Sequence, residues 1–253
     1  MRIVTTRLLL KCVLHWQPFK SFIFNFFKRT VQKKFKVKAV LIDLDGTLMH
    51  TAPELSRAVN RMLASLKKPA IDENQITAYI GEGAQILIKR CLTGQLDGEP
   101  EAAEYEQAQP LFFEYYAQIV TESKPYPQVV ESLQALKESG YRLACVTNKP
   151  DRFTLPLLES SNLLQYFECV VSGDTLAKKK PAPDQIFYAC EKMGVAINEV
   201  VLVGDSKTDV AAAKNAACFI FTVPYGYNQN REISLSDVDA KIIHLGEALD
   251  LLD

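Results

Sequence analysis

Residues 39–48, AVLIDLDGTL, constrain the fold of this chain more than any other segment. The stretch begins as an apolar run of strand length, yet Asp43 and Asp45 interrupt it near its end. Side chains two residues apart on a strand face the same side, and Gly46 lets the backbone turn sharply. We therefore expect a buried strand that presents two carboxylates at its carboxyl end. Read alone, DLDG also fits an Asx turn that only closes the strand.

From residue 38 onward, strand-like segments alternate with helical ones. The strand-like segments are KAVLIDL, YRLACVT, FECVVSG, EVVLVGD, CFIFTVP and AKIIHL, and between most of them apolar residues recur at i, i+3 and i+4. Gly140 and Gly194 stand where helix-terminating glycines belong. The alternation predicts an α/β fold with a doubly wound, Rossmann-like parallel sheet. Functional residues are then expected at the carboxyl ends of strands.

Residues 51–123 break this alternation, because they contain only helical patterns. We therefore predict an N-terminal extension (1–37), an α/β core (38–50 and 124–253) and an inserted helical cap (51–123) over the strand ends. Five aromatic residues near helical spacing in the cap are expected to form its core: Tyr105, Phe112, Phe113, Tyr115 and Tyr116.

Charge is distributed unevenly along the chain. Residues 1–38 contain ten Lys or Arg and no acidic residue, so the remaining 19 basic and 30 acidic residues carry a net charge of −11. An acidic body argues against nucleic acid as the main partner. The six cysteines form no CxxC pair and are expected to be reduced thiols rather than disulfides or zinc ligands. Because the thiols are expected to be reduced and the sequence has no membrane span, we expect a cytoplasmic location.

The basic, apolar extension has three possible interpretations. In the first, it is not part of the working domain and is translated from upstream of the natural start. In the other two, it is a peripheral membrane anchor or an organelle-targeting segment. Its charge-free runs, such as SFIFNFF, are far shorter than the roughly 18 to 20 residues of a membrane span. We favour the first reading, with membrane contact by the extension the less favoured one.

Three further strand ends carry polar residues that complement DLDGTL. Thr147-Asn148 follows LACV, Lys180 lies in KKKPAPD, and Asp205, Ser206 and Asp209 follow VVLVG. These four separated motifs resemble the haloacid dehalogenase-like hydrolases over residues 38–253. The segments YIGEGAQILIKRCL, VTNKPDRFTLPLLE, SGDTLAKKKPAPD and TVPYGYN are more specifically similar to bacterial phosphoglycolate phosphatases.

One position departs from the family pattern. The first motif of the family usually continues with Asp and then Ser or Thr, whereas here His50 and Thr51 follow Met49. The departure lies at the expected hinge of the cap, so it bears on the cap more than on the reaction.

The resemblance implies roles for three aspartates. Asp43 matches the nucleophile, which forms an aspartyl-phosphate. Asp45 matches the acid/base, which protonates the leaving oxygen and later deprotonates the attacking water. Asp205 matches a metal ligand. With the Asp43 carboxylate and the Asp45 backbone carbonyl, it offers the hard oxygen ligands that suit Mg²⁺.

The remaining matched residues are expected to hold the phosphoryl group or to support the site. Thr147, Asn148 and Lys180 are expected to bind phosphate oxygens. Asp209 is expected to orient Lys180 or the metal site from a second layer. Ser206 either hydrogen-bonds locally or caps the following helix.

The expected activity is Mg²⁺-dependent hydrolysis of a small phosphorylated metabolite, 2-phosphoglycolate, to glycolate and phosphate. The alternatives are a sugar-phosphate phosphatase, a phosphosugar mutase, and a non-catalytic binding module on the same fold. Arg90, or less favourably Lys89, is expected to bind the substrate carboxylate from the cap. The alternative for Arg90 is a salt bridge within the cap on a solvated face.

Deleting residues 1–30 is expected to leave folding and activity intact, because the first strand begins near Lys38 and Gln32-Lys33-Lys34 supplies a polar lead-in. Circular dichroism and phosphate release by the truncated protein test this expectation. Loss of folded, active enzyme would show that the segment packs on the domain.

Overall fold

The computed structural model describes residues 34–229 and 231–253. Residues 1–33 of the N-terminal extension lie outside the described residues, and so do the interpretations proposed for them. The described chain contains eight strands: β1 (Ala39–Ile42), β2 (Met49–His50), β3 (Lys124–Pro125), β4 (Arg142–Val146), β5 (Cys169–Val171), β6 (Val200–Gly204), β7 (Phe219–Thr222) and β8 (Ala240–Lys241).

Eight α-helices accompany these strands. They are α1 (Ala52–Ser65), α2 (Glu73–Thr77), α3 (Ala84–Thr93), α4 (Ala102–Ala117), α5 (Val129–Glu138), α6 (Asp151–Ser160), α7 (Asp184–Met193) and α8 (Lys207–Ala216). Gly140 adopts a positive φ just beyond α5, and Gly194 does so at the end of α7, as the sequence predicts.

Six strands form one parallel sheet in the order β5-β4-β1-β6-β7-β8. The chain runs from β1 outward through β4 and β5, then continues on the other side of β1 through β6, β7 and β8. The predicted doubly wound α/β class is thereby confirmed. The order reverses beside β1, and at such a switch point the loops after neighbouring strands diverge and leave a crevice at their carboxyl ends.

Both faces of this sheet are covered, which explains the uninterrupted apolar run of β1. Val40 and Ile42 belong to one buried cluster, whereas Ala39 and Leu41 belong to a second. All four side chains are fully buried. Strand alternation distributes them to opposite faces, so each residue of β1 must be apolar. Asp43 is the first residue beyond this double burial.

The helices α1 to α4 lie between β2 and β3, which pair in an antiparallel manner. Across the described residues 51–123, the regular elements are these helices and a short 3₁₀ turn, Val120–Glu122. Phe112 and Tyr116 are fully buried, and the other three predicted cap aromatics are partly buried against the same cluster. The two-residue strands β2 and β3 were not predicted, because two residues are too few for an alternating pattern.

The five described cysteines are free thiols, as the sequence predicts: Cys91, Cys145, Cys169, Cys190 and Cys218. Burial raises the pKa of Cys190 to about 11 and of Cys91 to about 12, which suppresses thiolate reactivity. Cys12 lies outside the described residues. Within the described ranges, no helix combines the length and hydropathy needed to cross a membrane.

Phe35→Ala is expected to lower the free energy of unfolding by about 3–5 kcal/mol. Phe35 is 3% exposed, forms a parallel bridge with Leu252, and packs edge-on against Phe219 and Phe221. Urea denaturation measures the change. Ile243→Ala, at a side chain that is 71% exposed, is the control and should change stability little. Equal, small effects of both substitutions would show that residues 34–37 contribute little to the core.

Candidate active site

The carboxyl ends of β1, β4 and β6 meet beside helices α1, α3 and α4. The inserted helices α1 to α4 are called the cap helices below. A cavity opens there, and its polar lining comes from the loops after the strands. The cap and the start of α6 add mainly apolar side chains. The polar residues are Asp43, Asp45, Thr147, Asn148, Lys149 and Lys180, and the larger apolar and aromatic ones are Leu55, Ile80, Leu87, Tyr116 and Phe153.

Lys180 lies at the floor of this cavity, and its side chain is 2% exposed. The Nζ atom lies 2.8 Å from Asp43 Oδ1, 2.6 Å from Asp209 Oδ1 and 2.8 Å from the carbonyl oxygen of Val146. Burial by itself disfavours the ammonium, but the charges of Asp209 and Asp43 outweigh it and raise the pKa of Lys180. Lys180 is thus held as a cation in contact with Asp43.

Three buried carboxylates surround one point of the floor. Carboxylate oxygens of Asp43, Asp205 and Asp209 all lie within 4.8 Å of one another. Burial raises the pKa of Asp43 to about 7, and burial together with the neighbouring Asp209 and Asp43 raises the pKa of Asp205 well above its usual value. Lys180 offsets only part of this negative charge. A hard divalent cation suits such a set of oxygen ligands and would supply the missing positive charge.

Close backbone approach fixes Asp205. Its Oδ1 accepts a hydrogen bond from Thr47 Oγ1 at 2.8 Å, and its Oδ2 accepts one from the backbone N–H of Tyr227. A β-carbon at Gly46 would lie 2.4 Å from Asp205 Oδ2, and one at Gly226 would lie 2.3 Å from the same atom. Gly46 also has φ of +89°, so glycine is required there on two grounds.

Asp209 has both carboxylate oxygens engaged. Oδ1 accepts from Lys180, whereas Oδ2 accepts from the hydroxyl of Ser206 at 2.6 Å and from its backbone N–H at 3.1 Å. Ser206 is the N-cap of α8 and forms a capping box with Asp209. The two alternatives for Ser206 are therefore both realised, because the same residue caps the helix and binds Asp209. Asp209 is placed to orient Lys180.

Asp45 pairs with Lys149, which is not among the residues predicted from the four motifs. Lys149 Nζ lies 2.9 Å from Asp45 Oδ1 and 3.1 Å from Oδ2, and it donates to the hydroxyl of Tyr116 at 2.6 Å. Burial opposes the charge of Lys149, but Asp45 and Tyr116 outweigh this effect and raise its pKa. Burial raises the pKa of Tyr116 to about 12, so this hydroxyl remains protonated.

Thr147 and Asn148 line the cavity beside these carboxylates, and a fully buried glutamine fixes their loop. The Gln185 Nε2 group donates to the carbonyl oxygens of Thr147, at 2.9 Å, and Ser172, at 2.8 Å. Its Oε1 accepts from the backbone N–H of Lys180 at 3.0 Å, and Asn148 Nδ2 donates to the Lys180 carbonyl oxygen at 2.9 Å. The loops after β4 and β5 are thereby held in register.

Arg90 does not meet these residues, which corrects the prediction that it binds a substrate carboxylate. Its side chain is 4% exposed. Nε donates to the Leu96 carbonyl oxygen at 2.7 Å, Nη1 to the Tyr79 carbonyl oxygen at 3.0 Å, and Nη2 to the Glu82 carboxylate. The described lining of the cavity does not include Arg90. The alternative of a cap ion pair describes its contacts, although Arg90 itself is buried and only Glu82 is partly exposed to solvent.

Two charged neighbours of Arg90, Lys89 and Glu82, also form contacts away from the cavity. Lys89, the second candidate for the carboxylate, pairs with Glu99 at 2.7 Å. Glu82 accepts a hydrogen bond from Gln229 of the core at 2.8 Å. Burial disfavours ionisation of Glu82, but the hydrogen bond and charge of Arg90, with the Gln229 contact, outweigh it and lower the pKa. The loop before α3 is thereby tied to the core.

The departure from the family motif at His50 also has a local structural account. The hydroxyl of Tyr227 accepts from the backbone N–H groups of Thr51, at 2.8 Å, and Ala52, at 3.0 Å. It also lies 2.8 Å from His50 Nδ1. Thr51 itself makes no side-chain cap bond. A tyrosine from the TVPYGYN segment therefore satisfies the amino end of α1.

The chain is similar to proteins of one family along most of its length. A family model described as haloacid dehalogenase-like hydrolase matches residues 37–217. The phosphoglycolate phosphatase of Thiobacillus denitrificans is 47% identical over 84% of this chain and 94% of its own. That of Nitrosospira multiformis is 48% identical over 85% of this chain and 96% of its own.

A solved structure shows the same likeness. The crystal structure of a predicted phosphoglycolate phosphatase from Haemophilus somnus superposes with a TM-score of 0.79 at 34% identity, over 85% of this chain and 97% of its own. The family resemblance inferred from the four motifs is therefore confirmed. With its parallel sheet and the carboxylates at its strand ends, the chain belongs to the haloacid dehalogenase-like hydrolase family.

Proposed function

We propose that this protein is a Mg²⁺-dependent phosphatase that hydrolyses 2-phosphoglycolate to glycolate and phosphate through an aspartyl-phosphate. One observation carries the proposal: Asp43 contacts the ammonium of Lys180 within the cavity, beside Asp205 and Asp45. The family supports hydrolysis, and the names of the relatives support the substrate.

Asp43 attacks the phosphorus with a carboxylate oxygen, so an O–P bond forms as the bond from phosphorus to the ester oxygen breaks. Two like unit charges 4 Å apart repel by about 4 kcal/mol at an effective dielectric near 20, and a dianion roughly doubles this. Lys180 lies 2.8 Å from the attacking carboxylate and can contact the phosphoryl oxygens as well. Thr147 and Asn148 complete the phosphoryl site from the loop after β4.

Asp45 moves the proton in both steps. It gives a proton to the ester oxygen as glycolate leaves, and then takes one from the water that attacks the aspartyl-phosphate. The second step forms the new O–P bond and releases the Asp43 carboxylate. Lys149 binds both oxygens of Asp45 and so fixes the position of this side chain.

The carboxylates of Asp43 and Asp205 and the backbone carbonyl of Asp45 would hold Mg²⁺. Bound there, the ion neutralises charge on the phosphoryl group and on the carboxylates. Asp209 orients Lys180, because its Oδ1 lies 2.6 Å from the Lys180 Nζ atom and its Oδ2 is held by the hydroxyl and backbone N–H of Ser206.

Phosphate release from a panel containing 2-phosphoglycolate, sugar phosphates and an aryl phosphate, with Mg²⁺ or EDTA, tests the proposal. We expect release that requires Mg²⁺ and the highest kcat/KM for 2-phosphoglycolate. Preference for a sugar phosphate would reassign the substrate. Phosphoenzyme without steady phosphate release would indicate a mutase, and binding without turnover would indicate a non-catalytic module.

Asp43→Asn is expected to abolish phosphate release while the protein stays folded. Because burial raises the pKa of Asp43 to about 7, ionising this group costs metal-free wild type stability as pH rises from about 4 to 7, and Asn avoids that cost. Metal-free Asp43→Asn should therefore unfold at a higher temperature than wild type at pH 8. Asp97→Asn, at an exposed cap residue, is the control. Retained turnover in Asp43→Asn would rule out Asp43 as the nucleophile.

Asp45→Asn is expected to slow hydrolysis of alkyl phosphates by about 10²- to 10⁴-fold. An aryl phosphate needs no proton on its leaving oxygen, so its burst of aryl alcohol should be nearly preserved while later turnover slows. Rapid-mixing absorbance measures the burst. If the burst rate falls as much as alkyl phosphate turnover, the acid role is wrong.

Adding Mg²⁺ to metal-free protein is expected to raise its melting temperature. At 100 times its dissociation constant, a ligand that binds only the folded state adds about 2.7 kcal/mol of stability. Differential scanning fluorimetry measures the shift without substrate. Asp205→Asn should remove most of it, whereas Asp237→Asn, on the surface, should keep it. If Mg²⁺ raised the melting temperature of Asp205→Asn as much as that of wild type, Asp205 would not be a ligand of the ion.

A further inference from the structure

Lys149 is a buried cation whose contacts go beyond what positioning Asp45 requires. Its side chain is 3% exposed, and it contacts Asp45 from the core and the Tyr116 hydroxyl from α4 of the cap. The ammonium also lies 4.7 Å from the centre of the Tyr116 ring. Lys149 thus stands where the core and the cap meet on the cavity wall.

The cavity offers few partners for a second anionic group on a substrate. Among the described residues of its lining, the cations are Lys149 and Lys180. Lys180 is shared by Asp43 and Asp209 at the end where the phosphoryl group reacts. The remaining wall is largely apolar, and an unpaired carboxylate buried against apolar side chains is strongly disfavoured.

Covalent geometry places the carboxylate of 2-phosphoglycolate next to Lys149. Asp45 must contact the ester oxygen in order to protonate it. In this substrate a single CH₂ group separates that oxygen from the carboxylate. Because Lys149 Nζ lies 2.9 Å from Asp45 Oδ1, a substrate held by Asp45 has its carboxylate within reach of the ammonium.

We propose that Lys149 binds the substrate carboxylate and so selects short phosphate esters that carry a carboxylate on the carbon beside the ester oxygen. The inference rests on the function proposed above and assigns to Lys149 the contact first expected of Arg90. Tyr116 holds the ammonium from the cap, so the cap must close to complete this binding site.

The test compares 2-phosphoglycolate with ethyl phosphate, which has a methyl group in place of the carboxylate. Lys149→Met is expected to lower kcat/KM for 2-phosphoglycolate about 10- to 100-fold more than for ethyl phosphate, the range for a charged hydrogen bond. Lys149→Arg should restore part of the discrimination. Wild-type KM and kcat are measured for both substrates.

Two controls separate carboxylate binding from other effects. Lys179→Met removes a neighbouring, partly buried positive charge that lies outside the described cavity lining, and it should lower kcat/KM for both substrates by a similar factor. If Lys149→Met does not fold, Tyr116→Phe replaces it, because this variant removes a bond to Lys149 and keeps the ring. Tyr116→Phe should then reduce turnover of 2-phosphoglycolate several-fold more than turnover of ethyl phosphate.

Equal losses on both substrates in the Lys149 variants would overturn the proposal and leave Lys149 as a positioning residue for Asp45. A selective loss in Lys179→Met would also overturn it and assign the carboxylate to Lys179. Failure of the proposed function has a different signature: wild type would release no phosphate from either compound, or release that Asp43→Asn does not remove.

Discussion

Lys180 places a positive charge among carboxylates that the sheet would otherwise bury together. Its ammonium lies 2.8 Å from Asp43 and 2.6 Å from Asp209, and it also donates to the Val146 carbonyl oxygen. A buried ion pair contributes little net stability, but removing one partner typically costs about 3–5 kcal/mol because the other charge is left unpaired. The arrangement is therefore most sensitive to the loss of Lys180, because Asp43 and Asp209 would then share no cation.

Negative charge still exceeds positive charge around this lysine, and the excess would favour binding of a divalent cation. Burial raises the pKa of Asp43 and of Asp205, which measures the cost of keeping both ionised without a metal. The Asp205 carboxylate nevertheless packs so closely against Gly46 and Gly226 that a β-carbon at either position would clash with it. The protein thus holds carboxylates at a cost to its own stability, at the site where a divalent cation and a phosphoryl group would use them.

The floor of the site could be predicted from the sequence, because its residues follow buried strands. Asp43, Thr147 and Asp205 each lie directly beyond a strand, and parallel strands bring their carboxyl ends to one edge. Lys149 could not be identified in this way, although it stands in the segment VTNKPDRFTLPLLE, because its partners are 104 and 33 residues away in sequence. Arg90 was expected at the site, but its position in a helical pattern does not reveal that its guanidinium contacts the Leu96 and Tyr79 carbonyl oxygens outside the described cavity lining. Contacts between cap and core depend on tertiary packing, which local patterns do not encode.

Asp43 is proposed to form a covalent bond to phosphorus, and this aspartyl-phosphate can be trapped. The Asp45→Asn variant, which should form the aspartyl-phosphate from an aryl phosphate and hydrolyse it slowly, is mixed with that substrate and quenched in acid. Peptide mass spectrometry then locates the phosphoryl group. We expect a hydroxylamine-sensitive phosphoryl group on Asp43 that appears at the rate of the burst. Release of aryl alcohol with no phosphorylated peptide, or with the phosphoryl group on another residue, would contradict it.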